Sequence, residues 1–263
     1  MAIVGFIGTG SMGSALARAA ARSGVCETIL LANRGREKAE RLAVELGGEA
    51  VDNAEAAARS DILFLGVEPG EMRPLIESLR ETLDRRKTPP LVVSMAAGKD
   101  LEFLGGWLGA KAPVIRIMPN IPAAVGAGVI LYSVSKTVTP EQEAAFCGVL
   151  KEAGWLSRIE ERLMGAAGSV TGCGPAFAAL FAEALADGAV TCGVPRTLAR
   201  AYAAETMLGT AKLLLDTGMS PAELKDRVCS PGGSTIQGVR AMEEGGVRAG
   251  VMNAVIAAFE KKF

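Results

Sequence analysis

The chain has 263 residues and contains no histidine. This absence excludes every mechanism that uses imidazole as a base, a proton shuttle or a metal ligand, including the Ser-His-Asp and Cys-His nucleophile systems. Its five cysteines include no CxxC pair, so the sequence indicates neither a zinc site nor a disulfide framework. We expect free thiols in a reducing compartment and no bound metal.

An excess of one charge sign is also lacking. The chain has 28 Lys and Arg against 29 Asp and Glu, a net charge of −1, and no long run of one sign. We therefore expect no nucleic-acid partner that is bound through a basic surface. Aromatic residues make up only 5% of the chain, whereas 49% is hydrophobic and 32 residues are glycine. This composition of small apolar side chains is typical of a folded protein with close packing around a ligand.

The N-terminus lacks the charged region and cleavage site of an export signal. Two stretches, 117–135 and 163–182, are free of charge for about the length of a membrane span. The first contains two prolines and an asparagine, and the second contains a proline and four glycines, which favours soluble core and loop. We expect a cytoplasmic protein with no membrane partner.

Up to about residue 155, short apolar runs alternate with helical patterns, which is typical of a parallel sheet with crossover helices. The predicted strands are Ile3–Ile7, Ile29–Ala32, Ile62–Val67, Leu91–Ser94, Pro113–Ile117 and Gly128–Tyr132. Predicted helices cover 11–23, 71–83 and the region of 39–46, and Thr139 begins another with a capping box that ends at Gln142.

After about residue 160 the strand patterns stop and alanine-rich helical patterns follow. These predicted helices are Pro175–Cys192, Pro195–Leu215, Pro221–Val228 and Gly246–Lys261. A second capping box, from Ser220 to Glu223, marks the start of the third. The small apolar surface of these helices favours burial against another subunit, so we expect a homo-oligomer.

A G-x-G-x-x-G pattern follows the first predicted strand and begins the first predicted helix. In this context the glycines allow a tight turn, close approach of a pyrophosphate, and close packing of helix on strand. The predicted fold is therefore α/β, with a Rossmann-type domain at 1–158 and an all-helical domain at 159–263. The candidate contacts with a dinucleotide are Gly8, Thr9, Gly10, Ser11, Met12 and Gly13. The alternative is a structural turn that binds nothing.

The end of the second predicted strand lacks the acid that usually binds the ribose of NAD. It has Asn33 and Arg34, an amide and a guanidinium that suit a ribose 2′-phosphate. We therefore expect NADP(H), with NAD(H) as a weaker substitute. The alternative for Arg34 and the nearby Arg36 is a solvated entry to a helix. The methionines near the expected cleft, among them Met95, are interpreted as core residues rather than ligand contacts.

The segment 228–236 joins two predicted helices with hydroxyls and glycines. Successive amides at the start of a helix form a nest for a carboxylate, to which Ser230, Ser234 and Thr235 add hydroxyl donors. The alternative is a simple helix stop and restart. Because the chain has no histidine, a hydride donor here suits an imine, which is protonated near neutral pH and needs no strong general acid.

The chain resembles pyrroline-5-carboxylate reductase from end to end. The resemblance lies in FIGTGSMG at 6–13, SMAAG at 94–98, RIMPNIP at 116–122, TGCGPAF at 171–177, EALADGAVTCGVPR at 183–196 and ELKDRVCSPGGSTIQG at 223–238. The last block is the most distinctive.

This resemblance implies hydride transfer from NADPH to the cyclic imine of L-1-pyrroline-5-carboxylate, which gives L-proline in the last step of its biosynthesis. It also implies that the helical half interlocks with a partner, that the active site lies at a dimer interface, and that dimers assemble further into a decamer. Thr235 would hydrogen-bond the ring nitrogen as the catalytic residue. The substrate carboxylate would be held by Ser230, Gly232, Gly233, Ser234 and Thr235. The cofactor would contact Asn53 at its adenosine side and Val67, Pro69, Ala96, Ala97 and Asn120 toward the nicotinamide.

Two positions depart from the family pattern. Glu68 stands where the family usually has lysine, and Ile121 stands where it often has threonine. A 3-hydroxy-acid dehydrogenase of similar organisation would need a catalytic lysine that 165–182 does not contain. A non-catalytic dinucleotide-binding homologue and a reductase of six-membered cyclic imine acids remain as alternatives.

Overall fold

The computed structural model describes residues 1–109 and 111–261. The chain forms two compact units, Met1–Gly172 and Cys173–Lys261. Strands occur in the first unit and the second is helical. The predicted combination of an α/β part followed by a helical part is confirmed.

One mixed sheet of eight strands forms the centre of the first unit. The strands are β1 (Ala2–Ile7), β2 (Cys26–Ala32), β3 (Glu49–Ala50), β4 (Ile62–Leu65), β5 (Leu91–Ser94), β6 (Val114–Met118), β7 (Gly128–Val134) and β8 (Gly154–Arg158). Their order across the sheet is β3-β2-β1-β4-β5-β6-β7-β8. The six predicted strands are all present. Sequence analysis missed β3, which is too short for a periodic pattern, and β8, whose side chains are half-buried or exposed.

The sheet is parallel from β3 to β6, but β7 runs antiparallel to β6. The predicted parallel sheet is confirmed for most of its strand pairs, and the antiparallel pair of β6 and β7 departs from it. The connection 119–127 contains only a short 3₁₀ helix, Ile121–Val125, whereas a parallel crossover needs about a dozen residues or more. Strand β8 is parallel to β7, and a full helix lies between them in the chain.

The central strands are apolar without interruption because both of their faces are covered. In β4, Ile62 and Phe64 belong to one hydrophobic cluster, whereas Leu63 and Leu65 belong to another. Phe64 stacks on Phe6 of β1 with 4.5 Å between ring centroids. Two buried layers on opposite faces of one sheet explain the continuous apolar runs in the sequence.

The helices of the first unit are α1 (Ser11–Arg22), α2 (Arg36–Leu46), α3 (Asn53–Arg59), α4 (Met72–Asp84), α5 (Leu101–Leu108), α6 (Pro140–Leu150) and α7 (Met164–Thr171). The capping box at the start of α6 is confirmed, since Thr139 and Gln142 each accept a hydrogen bond from the other's backbone N–H. Helices α3, α5 and α7 were missed because each has only seven or eight residues, about two turns.

The helices of the second unit are α8 (Gly174–Thr191), α9 (Arg196–Thr217), α10 (Pro221–Val228), α11 (Ser234–Glu244) and α12 (Val247–Glu260). The Ser220 hydroxyl caps α10 by accepting from Glu223 N at 3.2 Å. The capping box predicted there is only half formed, because the Glu223 carboxylate accepts from Arg227 instead.

The helical unit buries few apolar side chains of its own. Its buried cluster consists of Ala186, Ala199 and Ala203, with smaller contributions around them. Large apolar side chains remain exposed along its helices, including Leu180, Phe181, Leu185, Leu198, Tyr202, Leu208, Leu213 and Leu215. By length and composition alone, one helical stretch, Glu161–Thr191, is apolar enough to cross a membrane.

Candidate functional site

The glycine turn between β1 and α1 has the backbone geometry that its three glycines predict. Gly8 has φ +96°, and a Cβ added there would lie 2.5 Å from Gly66 O. A Cβ at Gly13 would lie 2.1 Å from Gly8 O, whereas one at Gly10 would meet nothing within 4 Å. The first and third glycines are therefore required by contacts inside the protein. The second leaves the backbone open to a ligand, as a pyrophosphate requires.

The start of α1 is a candidate anion site that the fold leaves uncapped. Gly10 is its N-cap residue and provides no side-chain hydrogen bond. Thr9 is only 4% exposed, and its buried hydroxyl has no hydrogen-bond partner within the described part of the chain. Free helix amides beside an unpaired buried hydroxyl fit the phosphate groups of a dinucleotide. Ser11 and Met12 form the first positions of this helix.

The end of β2 holds the residues predicted to select the cofactor. The Asn33 side chain accepts from Thr9 N at 3.1 Å and donates to Gly35 O at 3.1 Å, so it fixes the loop against the glycine turn. Arg34 is exposed in this loop. Arg36 is paired with Glu40 at 2.9 Å. The Arg34 guanidinium, in contrast, forms no ion pair with any described residue.

A cavity of about 300 Å³ lies at the carboxyl ends of β4, β5 and β6. Its walls are Met12, Gly66–Pro69, Met95–Ala97 and Ile117–Pro119. The candidate residues Val67, Pro69, Ala96 and Ala97 all lie there. Met12, one of the predicted contacts with the dinucleotide, also lines it. Met95 and Met118, which sequence analysis interpreted as core residues, line it too, and their positions at strand ends were the available signal.

The two departures from the family pattern occupy different places. Glu68 lines the cavity, and its carbonyl accepts from Glu71 N at 2.9 Å in a turn that precedes α4. Ile121 is 74% exposed and is not one of the cavity's lining residues.

The two candidate asparagines differ in what their side chains do. Asn120 is buried and uses its amide inside the protein, donating to Thr171 O and accepting from Val129 N. Asn53 is half-buried at the first position of α3, immediately after the N-cap residue Asp52. This position follows the short strand β3, which pairs with β2, so Asn53 is near the same edge of the sheet as Asn33.

The loop between α10 and α11 is a tight turn that exposes the start of a helix. Gly233 N donates to Ser230 O at 3.1 Å across Pro231 and Gly232, and Gly232 has φ +73°. Proline at the second position and a positive φ at the third are typical of a type II turn. A Cβ at Gly233 would lie 2.4 Å from the Ser230 hydroxyl, so a larger residue there would require that hydroxyl to rotate away.

The start of α11 has the properties of a carboxylate nest. Its N-cap residue is Gly233, no side chain caps it, and its first turn contains no acidic residue. Ser234 and Thr235 are the first two residues of the helix, and both are exposed. The positive end of the helix dipole and its unpaired amides favour an anion at this point. The turn therefore brings Ser230, Gly232, Gly233, Ser234 and Thr235 together.

Two kinds of comparison agree with these features. Residues 161–262 match the family model described as pyrroline-5-carboxylate reductase dimerisation, and residues 3–98 match that of NADP oxidoreductase coenzyme F420-dependent. The pyrroline-5-carboxylate reductase of Methanosarcina acetivorans is 40% identical to this chain over 98% of the chain and 96% of the relative. That of Escherichia coli is 38% identical with the same coverage. This chain belongs to the pyrroline-5-carboxylate reductase family.

Solved structures of the pyrroline-5-carboxylate reductase family share the fold. That of Plasmodium falciparum, with NADP bound, has a TM-score of 0.87 at 28% identity and covers 98% of this chain and 96% of its own. That of Coxiella burnetii has a TM-score of 0.89 at 29% identity, with coverage of 97% and 95%.

Membership of the pyrroline-5-carboxylate reductase family confirms the resemblance predicted from the motifs. It also confirms that the chain is an NADP-dependent oxidoreductase of proline biosynthesis with a Rossmann-type domain. The helical half matches the dimerisation model of this family, which identifies the protein as a homo-oligomer that acts on a small molecule.

Proposed function

We propose that this protein transfers a hydride from NADPH to the cyclic imine of L-1-pyrroline-5-carboxylate and so produces L-proline. The uncapped start of α11 carries this proposal. It offers amides and hydroxyls to a carboxylate in a chain that has no histidine to act on an alcohol or ketone.

Five residues of the α10–α11 turn have a role in substrate binding. The backbone from Ser230 through Gly232 and Gly233 to Ser234 holds the substrate carboxylate. The hydroxyl of Thr235 hydrogen-bonds the ring nitrogen and orients the imine carbon. When it is bound, the reduced nicotinamide supplies the hydride. The proton on the imine nitrogen comes from solvent, because a protonated imine accepts hydride without a strong acid beside it.

The cofactor is held by the glycine turn and by the edge of the sheet next to it. The amides of Gly8–Gly13 bind the pyrophosphate, and Thr9, Ser11 and Met12 border it. Arg34 binds the ribose 2′-phosphate, while Asn33 fixes the loop that presents it and Asn53 reaches the adenosine side. The nicotinamide end occupies the 300 Å³ cavity, where Val67, Pro69, Ala96 and Ala97 contact it. Asn120 borders it from the position next to the wall residue Pro119. NADPH is therefore used in preference to NADH.

The functional division of the chain lies near the last strand, with cofactor binding in 1–158 and substrate binding and dimerisation in 159–263. The supporting observation is that β8 ends at Arg158 and that every further element among the described residues, up to 261, is a helix. The minimal assembly is a dimer in the cytoplasm, and dimers assemble further into a decamer. The exposed leucines and aromatic residues of α8 and α9 supply the surface that a second copy covers.

Sedimentation of the purified protein tests the assembly. A mass of twice or ten times 27.1 kDa distinguishes the dimer from the decamer, and a monomer at all concentrations contradicts both.

Steady-state oxidation of NADPH, and of NADH in parallel, with 1-pyrroline-5-carboxylate as acceptor tests the reaction. We expect rapid turnover with NADPH and slower turnover with NADH. Tight NADPH binding without turnover would identify a non-catalytic homologue. Turnover only with the six-membered cyclic imine acid would assign a different substrate.

A further inference from the structure

Among the described residues that line the 300 Å³ cavity, Glu68 alone is ionisable. The rest of the wall consists of methionine, alanine, glycine, valine, isoleucine and proline. The turn of 68–71, closed by the hydrogen bond from Glu71 N to Glu68 O, fixes where the Glu68 side chain leaves the backbone. Glu68 is exposed, and it adds one carboxylate to a lining that is otherwise apolar.

The topology of the sheet identifies which end of a dinucleotide enters this cavity. Strand order reverses at β1, with β2 on one side and β4, β5 and β6 on the other. A dinucleotide binds across such a switch point, with its pyrophosphate on the glycine turn and its adenosine ribose at the end of β2. The nicotinamide then lies on the side of β4–β6, where Glu68 is.

The two redox forms of the cofactor differ in charge at this end only. The oxidised nicotinamide ring carries one positive charge, whereas the reduced ring is neutral. A nearby carboxylate stabilises the cation relative to the neutral form, and because Glu68 is exposed, solvent and salt screen that interaction in part. A phosphate or a ribose hydroxyl near Glu68 would respond differently, because neither changes when the ring is oxidised.

We propose that Glu68 is a specificity-determining residue that makes the protein hold the oxidised cofactor more tightly, relative to the reduced one, than it would without this carboxylate. This inference rests on the proposed function, since it requires that the cofactor bind as described there. It concerns the balance between the two redox forms and is separate from the preference for NADPH over NADH.

Equilibrium titration of the intact protein with NADP⁺ and NADPH, without substrate, tests the inference. Glu68→Gln removes the charge and keeps the shape of the side chain. We expect the ratio of Kd for NADP⁺ to Kd for NADPH to rise about two- to fivefold, as for a partly exposed charge pair. Glu68→Lys should raise the ratio further. Glu71→Gln is the matched control, because it removes the same charge from the same turn at a residue that does not line the cavity.

Salt dependence provides a second readout. The ratio of Kd for NADP⁺ to Kd for NADPH should differ less between Glu68→Gln and the unmodified protein as ionic strength rises. If Glu68→Gln weakens both forms equally, the carboxylate binds a ribose hydroxyl and the inference is wrong. If it tightens both equally, Glu68 repels phosphate, and the inference is again wrong. If the unmodified protein binds neither form, the proposed function itself fails, so the two failures are distinct.

Discussion

The amide of Asn120 donates to the carbonyl of Thr171 at 2.9 Å. The same side chain accepts from Val129 N at 2.8 Å, and Asn120 is only 7% exposed. One buried amide therefore connects the end of β6, the start of β7 and the end of α7. The neighbouring Pro119 lines the cavity, so this connection also fixes part of the cavity wall.

Asn120→Ala should lower the free energy of unfolding by about 1–3 kcal/mol, because it leaves the Val129 N–H and the Thr171 C=O, both part-buried, without their partners. Asn120→Asp should also be destabilising, since it keeps the acceptor for Val129 N but places a carboxylate oxygen against Thr171 O at a buried position. Urea denaturation without cofactor measures both. Asn253→Ala, at an exposed position of α12, is the control. If Asn120→Ala leaves stability unchanged and weakens only cofactor binding, the structural role is wrong.

Alanine substitutions at Gly13 and Gly10 of the glycine turn should have different effects, the first on stability and the second on NADPH binding. Gly13→Ala forces a Cβ to within 2.1 Å of Gly8 O, so it should lower Tm even without cofactor. Gly10→Ala meets nothing within 4 Å and should leave Tm of the free protein within error, yet weaken NADPH binding by occupying the space of the pyrophosphate. Thermal denaturation and NADPH titration of both variants check this. Unchanged NADPH affinity in Gly10→Ala would place the pyrophosphate elsewhere.

Arg34→Ala should weaken NADPH binding about tenfold, as expected for the loss of a charge-assisted hydrogen bond to phosphate. NADH, which has no 2′-phosphate, should be affected much less. Arg36→Ala serves as the comparison, because the Arg36 guanidinium is already paired with Glu40. Fluorescence titration with both cofactors measures the effect. Equal losses for NADPH and NADH in Arg34→Ala would show that the 2′-phosphate site is elsewhere.

Thr235→Ala should lower kcat about ten- to hundredfold, because it removes a hydrogen bond to the reacting ring. Kd for NADPH should not change. Thr235→Ser, which keeps the hydroxyl, should recover most of the turnover. Thr210→Ala, whose hydroxyl bonds to Thr206 O within α9, controls for a general effect on the helical unit. Full turnover by Thr235→Ala would exclude the assigned role.

Tyr132 predicts how stability changes at alkaline pH. Burial, together with hydrogen bonds to Cys147 and Glu143, raises the pKa of Tyr132 above its ordinary value of 10.0. Because the pKa of Tyr132 is higher in the folded state, its interactions add to the free energy of unfolding in full below pH 10.0. This stabilisation is lost as the pH rises through the folded pKa. Tyr132→Phe should therefore be less stable than the unmodified protein near neutral pH, and its stability should fall less steeply above about pH 10. Urea denaturation across this range measures both slopes, and parallel slopes would contradict the assignment.

Much of the first unit followed from local pattern alone. Continuous apolar runs predicted six strands because a strand buried on both faces needs no polar alternation, as in β4 and β5. Gly8, Gly10 and Gly13 predicted a ligand-binding turn because their spacing follows from backbone sterics, which act between near neighbours in the chain. The motif at 223–238 predicted the family before any fold was known.

Other features depended on contacts between residues distant in sequence. The reversal at β7 follows from a connection too short for a crossover, and β8 is a strand because β7 offers it a hydrogen-bonding edge. The amide of Asn120 is used inside the protein only because α7 brings Thr171 to it across 51 residues. Glu68 faces a cavity because the ends of three strands converge there. Sequence alone determined most of the longer elements and the chemistry of the motifs, since these depend on local backbone and side-chain preferences. Tertiary structure decided which side chains form cavity walls and which form internal connections, because burial depends on the whole fold.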